Sequence, residues 1–242
     1  MLVNPGGIIA AQEKLPIFGA SFDGTNDYLT GGALTGAADG KLGIFACKFR
    51  MLGGDGSSVF MLVLKAAANR FDILRHNTNT MRIRGFTSAG VQNLGINTVG
   101  TITADGNYHT ILVSWDIGTD DNHQYIDGVS DISVVTSDNT NIDYTGTDAS
   151  VGADPSGGFK SNIDINALYL NIAEKIDFSV AANRLKFFDA AGKWVPSRYG
   201  DGSEPTGTAP IIYMPLPYTG FNRNLGPGGT FAVTGALTEP AS

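Results

Sequence analysis

The chain has 242 residues, with 32 glycines, one cysteine and a formal net charge of −7. That charge speaks against nucleic acid as the main partner, because phosphate contact needs a basic face. Cys47 has no second cysteine to pair with in the chain, and no stretch reaches the ~18 uninterrupted apolar residues of a membrane span.

Aspartate outnumbers glutamate 19 to 4, and 17 asparagines accompany them. Asp, Asn and Gly supply tight turns and left-handed backbone, and they are poor helix interiors. The expectation is an all-β chain of many short strands, long enough to bury a core without disulfides.

In chain order, residues 1–16 lack the basic start and apolar run of a secretory signal, so no export route is expected. Strands are predicted at 42–51, 58–65, 70–76, 80–86, 108–116, 124–128 and 163–171, separated by turns such as "GGDGS" (53–57) and "TADGN" (103–107). Alternation puts Phe45, Cys47, Phe49 and Met51 on one face, and His109, Ile111, Val113 and Trp115 on another. The run 58–65 is apolar throughout most of its length, as for a strand covered on both sides. Residues 178–193 predict one helix, with Ser179 as N-cap, Ala181, Leu185 and Phe188 on its buried stripe, and Gly192 as its stop. Residues 194–242 read as a Gly/Pro-rich arm that packs on the domain or on a neighbour; 205–242 alone hold six of the ten prolines.

Catalytic signatures are missing. The three histidines show no HExxH-like or CxxC-paired spacing, and there is no GxSxG elbow. "NIDIN" (162–166) is similar to the E-I-D-I-E strand of β-sandwich glycoside hydrolases, but Asn162 and Asn166 stand where both glutamates would be. An amide is neither nucleophile nor proton donor there, so no enzyme activity is expected. Asn162, Asp164 and Asn166 could instead bond sugar hydroxyls from one strand face. Arg82 and Arg84 share a face and could grip an acidic glycan or a partner's carboxylates, or serve only to keep a strand from mispairing. No calcium-loop pattern fits. The polar loop 137–144, with Asp138, Asn141 and Asp143, is the weak candidate for a calcium site, against ordinary Asx turns. No other cofactor is expected.

Four segments, "FDGTNDYL" (22–29), "YHTILVSWD" (108–116), "YIDG" (125–128) and "IDINALYLN" (163–171), stand in the order seen in the laminin-G-like branch of the concanavalin A-like lectin/glucanase superfamily, which residues 17–177 therefore resemble. The resemblance implies a two-sheet antiparallel jelly-roll sandwich, with 109–116 as a core strand, "IGTDDNH" as a hairpin loop and "QYIDGVS" as its partner strand. The segments "FFDAAGKWV" (187–195), "DGSEPTGTAPIIYM" (201–214) and "GPGGTFAVTGAL" (226–237) resemble extensions of such domains in virion proteins of tailed bacteriophages. That second resemblance implies a non-enzymatic particle protein, a head decoration or a tail or fibre component. Its partners would be other phage structural proteins and sister subunits in a symmetric oligomer. The alternative it leaves is an adhesin for host surface polysaccharide.

Overall fold

The computed structural model describes residues 17–66 and 69–241; the N-terminal segment 1–16 lies outside the described residues. Among the described residues, fifteen strands, all paired antiparallel, form two sheets. The first sheet contains β1 (Ala20–Asp23), β13 (Asn162–Asn171), β3 (Leu42–Met51), β8 (His109–Asp116), β9 (Asp121–Ile126) and β10 (Val129–Ser130) in that order, with β14 (Ile212–Met214) also on β13. The second runs β11 (Ser133–Ser137), β7 (Gln92–Asn97), β6 (Met81–Phe86), β5 (Asn69–Arg75), β4 (Val59–Ala66), β12 (Asp148–Val151), β2 (Tyr28–Gly32) and β15 (Ala232–Thr234). This is a jelly-roll sandwich.

Alternation decides which side chains meet between the sheets. Phe45, Cys47, Phe49 and Met51 of β3 and Ile111, Val113 and Trp115 of β8 pack against Phe71 and Ile73 of β5 and Met81 and Ile83 of β6. His109 ends its row at the rim, where Nδ1 lies 2.7 Å from Oδ2 of Asp127. Both faces of β4 are covered, because Phe60 and Val63 join Leu74 in a separate cluster on the outer side.

Trp115 is fully buried, its Nε1 donates to the Tyr144 hydroxyl at 2.8 Å, and that hydroxyl donates to the Leu42 carbonyl at 3.1 Å. Gly43, opposite Trp115 in the β3–β8 ladder, is glycine because a Cβ there would lie 2.0 Å from the indole ring. Burial pushes the Tyr144 phenol far above the ordinary tyrosine range. Replacing Tyr144 by Phe leaves the indole N–H unpaired, and urea unfolding should then show a loss of about 1–2 kcal/mol. An unchanged midpoint would mean that another group takes over the bond.

The "FDGTNDYL" stretch forms a pinned loop. Asp23 Oδ1 accepts the N–H groups of Thr25, Asn26 and Asp27 at 2.7, 2.9 and 3.2 Å. Asp27, itself buried, accepts from the Ala236 N–H at 2.7 Å and so ties the loop to the C-terminal segment.

Two local expectations need correction. Residues 178–193 hold only one helical turn, α1 (Ala181–Arg184), preceded by Val180 without a side-chain cap. Ser179 does not cap it; its own N–H bonds the Asp177 carboxylate at 2.8 Å. Beyond Leu185, which is 51% exposed, the chain turns back so that Phe187, Phe188 and Trp194 cover the outer face of the first sheet. Asp189 Oδ1 closes that turn by accepting from Ala191 and Lys193, both at 2.9 Å. Burying three aromatic rings outweighs the helical preference of "AANRLK". The hairpin loop is also shorter than expected. β9 begins at Asp121, and Asp116 gathers the Gly118 and Thr119 N–H groups to make the turn in residues 117–120. The Asp127–Gly128 turn joins β9 to β10 with both residues at positive φ, 50° and 78°, as a tight hairpin turn requires.

The described part of the C-terminal segment, 194–241, packs on the sandwich. It contributes β14 to one sheet and β15 to the other, and it places Ile211, Ile212, Met214, Phe221 and Phe231 in the core between them.

Candidate functional site

The sequence-predicted site residues occupy three places. Asn162, Asp164 and Asn166 all lie on β13, but the polar groups of Asp164 and Asn166 bond within the chain. Asp164 is 1% exposed, and its Oδ2 accepts from Arg50 through Nε at 3.0 Å and Nη2 at 2.5 Å. Asn166 sits at a bulge, donates to the Phe18 carbonyl at 2.8 Å and accepts from Arg198 at 2.6 Å. Asn162 packs against the glycines at 24 and 53. None of the three presents the open row of hydroxyl-binding groups that alternation suggested.

Arg82 and Arg84 lie on the outer face of the second sheet, away from these amides. In the polar loop, Asp138 and Asn141 are exposed, whereas Asp143 is buried and its Oδ1 accepts from both the N–H and the hydroxyl of Thr145, at 2.9 and 2.8 Å. Among the described residues, no three His, Cys, Asp or Glu side chains converge as metal ligands would.

A different place has the form of a binding site. A cleft of about 430 Å³ opens on the outer face of the first sheet. Its floor is Lys48 of β3, Thr110 opposite it on β8, and Leu112 further along β8. Tyr108 and the Asp127–Gly128 turn form one wall; Leu185, Phe188 and the turn Asp189–Gly192 form the other. The chain builds the second wall because the aromatic segment after α1 folds back onto this sheet.

The electrostatics of the cleft are mixed. Lys48 Nζ donates to the Gly192 carbonyl at 2.8 Å, linking floor to wall. Burial holds the Lys48 ammonium below the usual lysine range, and Arg198 pushes the same way against Asp189 and Asp127. The Tyr108 ring carries Arg50 at 4.6 Å and Lys48 at 5.6 Å, and burial raises its phenol above the ordinary range, with Asp164 adding to the rise. Asp164 therefore reaches the cleft indirectly, by fixing the guanidinium that backs Tyr108. Asp127 anchors His109 and the Thr110 N–H, the latter at 2.7 Å, and Asp189 anchors its own turn. Both carboxylates hold the walls in place while facing the opening.

This cleft is not legible in the sequence. Asp127 reads as turn chemistry, Phe188 as a helix stripe and Lys48 as an outward residue of a core strand. The aromatic density of 187–194 was the available signal, since so many rings must cover something.

No protein-family model matches the chain, and no curated protein does. Among solved structures it is similar to a protein of Bacteroides ovatus to which carbohydrate binding is ascribed, with a TM-score of 0.63 at 9% identity, over 95% of this chain and 62% of that one. A heptameric SAP-like pentraxin of Limulus polyphemus matches at a TM-score of 0.49 and 13% identity, over 69% of this chain and 80% of that one. Domains LG4–5 of the mouse laminin α1 chain match at 0.49 and 15%, over 74% of this chain and 49% of that one. At 9% identity the first of these likenesses is one of fold alone, an antiparallel sandwich.

Proposed function

We propose that the chain is a non-catalytic carbohydrate-binding module and that the cleft between Tyr108 and the 185–192 wall holds the sugar. The cleft itself carries the reading. It combines an aromatic ring, a buried hydroxyl, two rigidly held carboxylates and an apolar wall, the mixture of shape and few oriented polar groups that small-ligand sites use. Asp127 and Asp189 are both held by backbone N–H groups, which orients them to accept from sugar hydroxyls. The setting proposed with it is the particle of a tailed phage, on the sequence resemblance of the segments within 187–237. Of the two places expected for the C-terminal arm, the domain itself takes up β14 and β15, so attachment to a particle would use another surface.

Purified protein should bind at least one member of a panel of bacterial surface polysaccharides saturably, measured with calcium and again with chelator. Tyr108→Ala should weaken that binding about tenfold, the loss of one ring contact, without moving the melting temperature by more than a few degrees. A panel that includes the host's own polysaccharide and shows no binding would remove the proposal, as would a Tyr108→Ala protein with undiminished affinity. Loss in chelator would assign a calcium ion to the site.

A further inference from the structure

The outer face of the second sheet concentrates positive charge on a chain whose net charge is −7. Arg70 and Asp72 of β5 and Arg82 and Arg84 of β6 lie side by side there. Asp72 is fully buried and accepts Arg84 twice, at 2.8 and 2.9 Å, and Arg70 at 2.7 Å. One carboxylate thus faces two guanidiniums, while Arg82 lies beside them, opposite Leu74. Arg82 has no ion-pair partner among the described residues, and its Nε is buried without a hydrogen bond. The local field is felt by its neighbours. Burial lowers the Arg82 guanidinium and then Arg84 does; burial lowers the His76 imidazole, followed by Arg82 and Arg84.

Protection of an edge strand does not explain this row. β6 lies between β7 and β5, the third strand from one edge of the sheet, where there is no mispairing to prevent. An uncompensated cation on an interior strand instead invites an anion from outside. Guanidinium forks match carboxylate and sulfate groups in planar, two-point hydrogen bonds. Three cations are few for the dense phosphate of a duplex, and the acidic remainder of the chain would repel it.

We propose that this face, centred on Arg82 with Arg70 and Arg84 beside it, is a binding site for an acidic polysaccharide, separate from the cleft on the opposite sheet. Full-length protein is titrated with polygalacturonate, heparin, neutral dextran and duplex DNA, at low and high salt. The expected result is saturable binding of one or both acidic polymers, weakened by salt and absent for dextran. Arg82→Gln should reduce affinity about tenfold, as loss of a charge-assisted pair does, and Arg82→Glu should abolish it. Arg82 is the residue to change because Arg84→Ala would strand the buried Asp72. Melting temperatures identify any variant that fails to fold, and Tyr108→Ala should bind the polyanions normally, which separates this site from the cleft. Heparin binding alone supports the proposal with sulfate as the recognised group. Absence of polyanion binding by the unaltered protein, full affinity in a folded Arg82→Glu, or tighter binding of DNA than of either polysaccharide would overturn it.

Discussion

Removing residues 205–242 should leave a chain that no longer folds cooperatively, seen as loss of near-UV circular dichroism and of a sharp thermal transition. The segment supplies β14 and β15 and five large side chains of the inter-sheet core: Ile211, Ile212, Met214, Phe221 and Phe231. At roughly 2 kcal/mol for each buried side chain, the apolar loss alone is on the order of 10 kcal/mol, comparable with the whole stability of a typical domain. Further ties go with it. The Gly19 N–H loses the Leu216 carbonyl at 3.0 Å, Ser21 loses Thr238 at 2.9 Å, and Asp27 loses Ala236 at 2.7 Å. A free arm used only for assembly would give the opposite result, a truncated protein that melts like the full chain but does not join its partners. The melt of the truncated chain therefore decides between an arm and a structural element before any assembly assay is needed.

Asp164→Ala is expected to cost about 3–5 kcal/mol in urea unfolding, because it strands a buried guanidinium. Arg50 is held by Asp164 through two nitrogens and by the Ala241 carbonyl at 2.9 Å, with its side chain 12% exposed. The pair need not be strongly stabilising in itself, since burying both charges offsets much of their attraction. The double change Arg50→Met with Asp164→Leu should accordingly recover most of the stability that the single change loses. It should not recover glycan affinity, because Tyr108 would have lost the guanidinium at 4.6 Å that backs its ring. A stable double variant with full affinity would show that Arg50 does not position the cleft wall. An Asp164→Ala protein as stable as the unaltered chain would show that the pair is already solvated.

Much of the fold is legible before any coordinates. The register of β3 follows from Phe45, Cys47, Phe49 and Met51, because a strand with one row of large apolar residues can turn only that row inward. The same alternation puts Ile111, Val113 and Trp115 of β8 in one inward row. The short or weakly patterned strands β7, β11, β12, β14 and β15 do not announce themselves; their pairing comes from neighbours, not from their own residues. The site is less legible still. "NIDIN" marks a real strand face, but whether its amides meet solvent depends on Phe18, Arg50 and Arg198, which come from elsewhere in the chain.

By itself, then, the sequence determined the class: turn-forming Asp, Asn and Gly, period-2 rows and one Asp-Gly hairpin leave little but an antiparallel sandwich. Those are local properties, set by backbone preference and by the two-residue repeat of a strand. The tertiary structure alone decided that the Pro/Gly-rich C-terminus would become two strands, that the expected helix would give way to a turn carrying three buried rings, and that Lys48, Tyr108, Asp127 and Asp189 would meet around one cleft. Each of those outcomes depends on which surface comes within a few ångströms of which. That is settled by burying apolar area between segments far apart in the chain, a competition that no local pattern records.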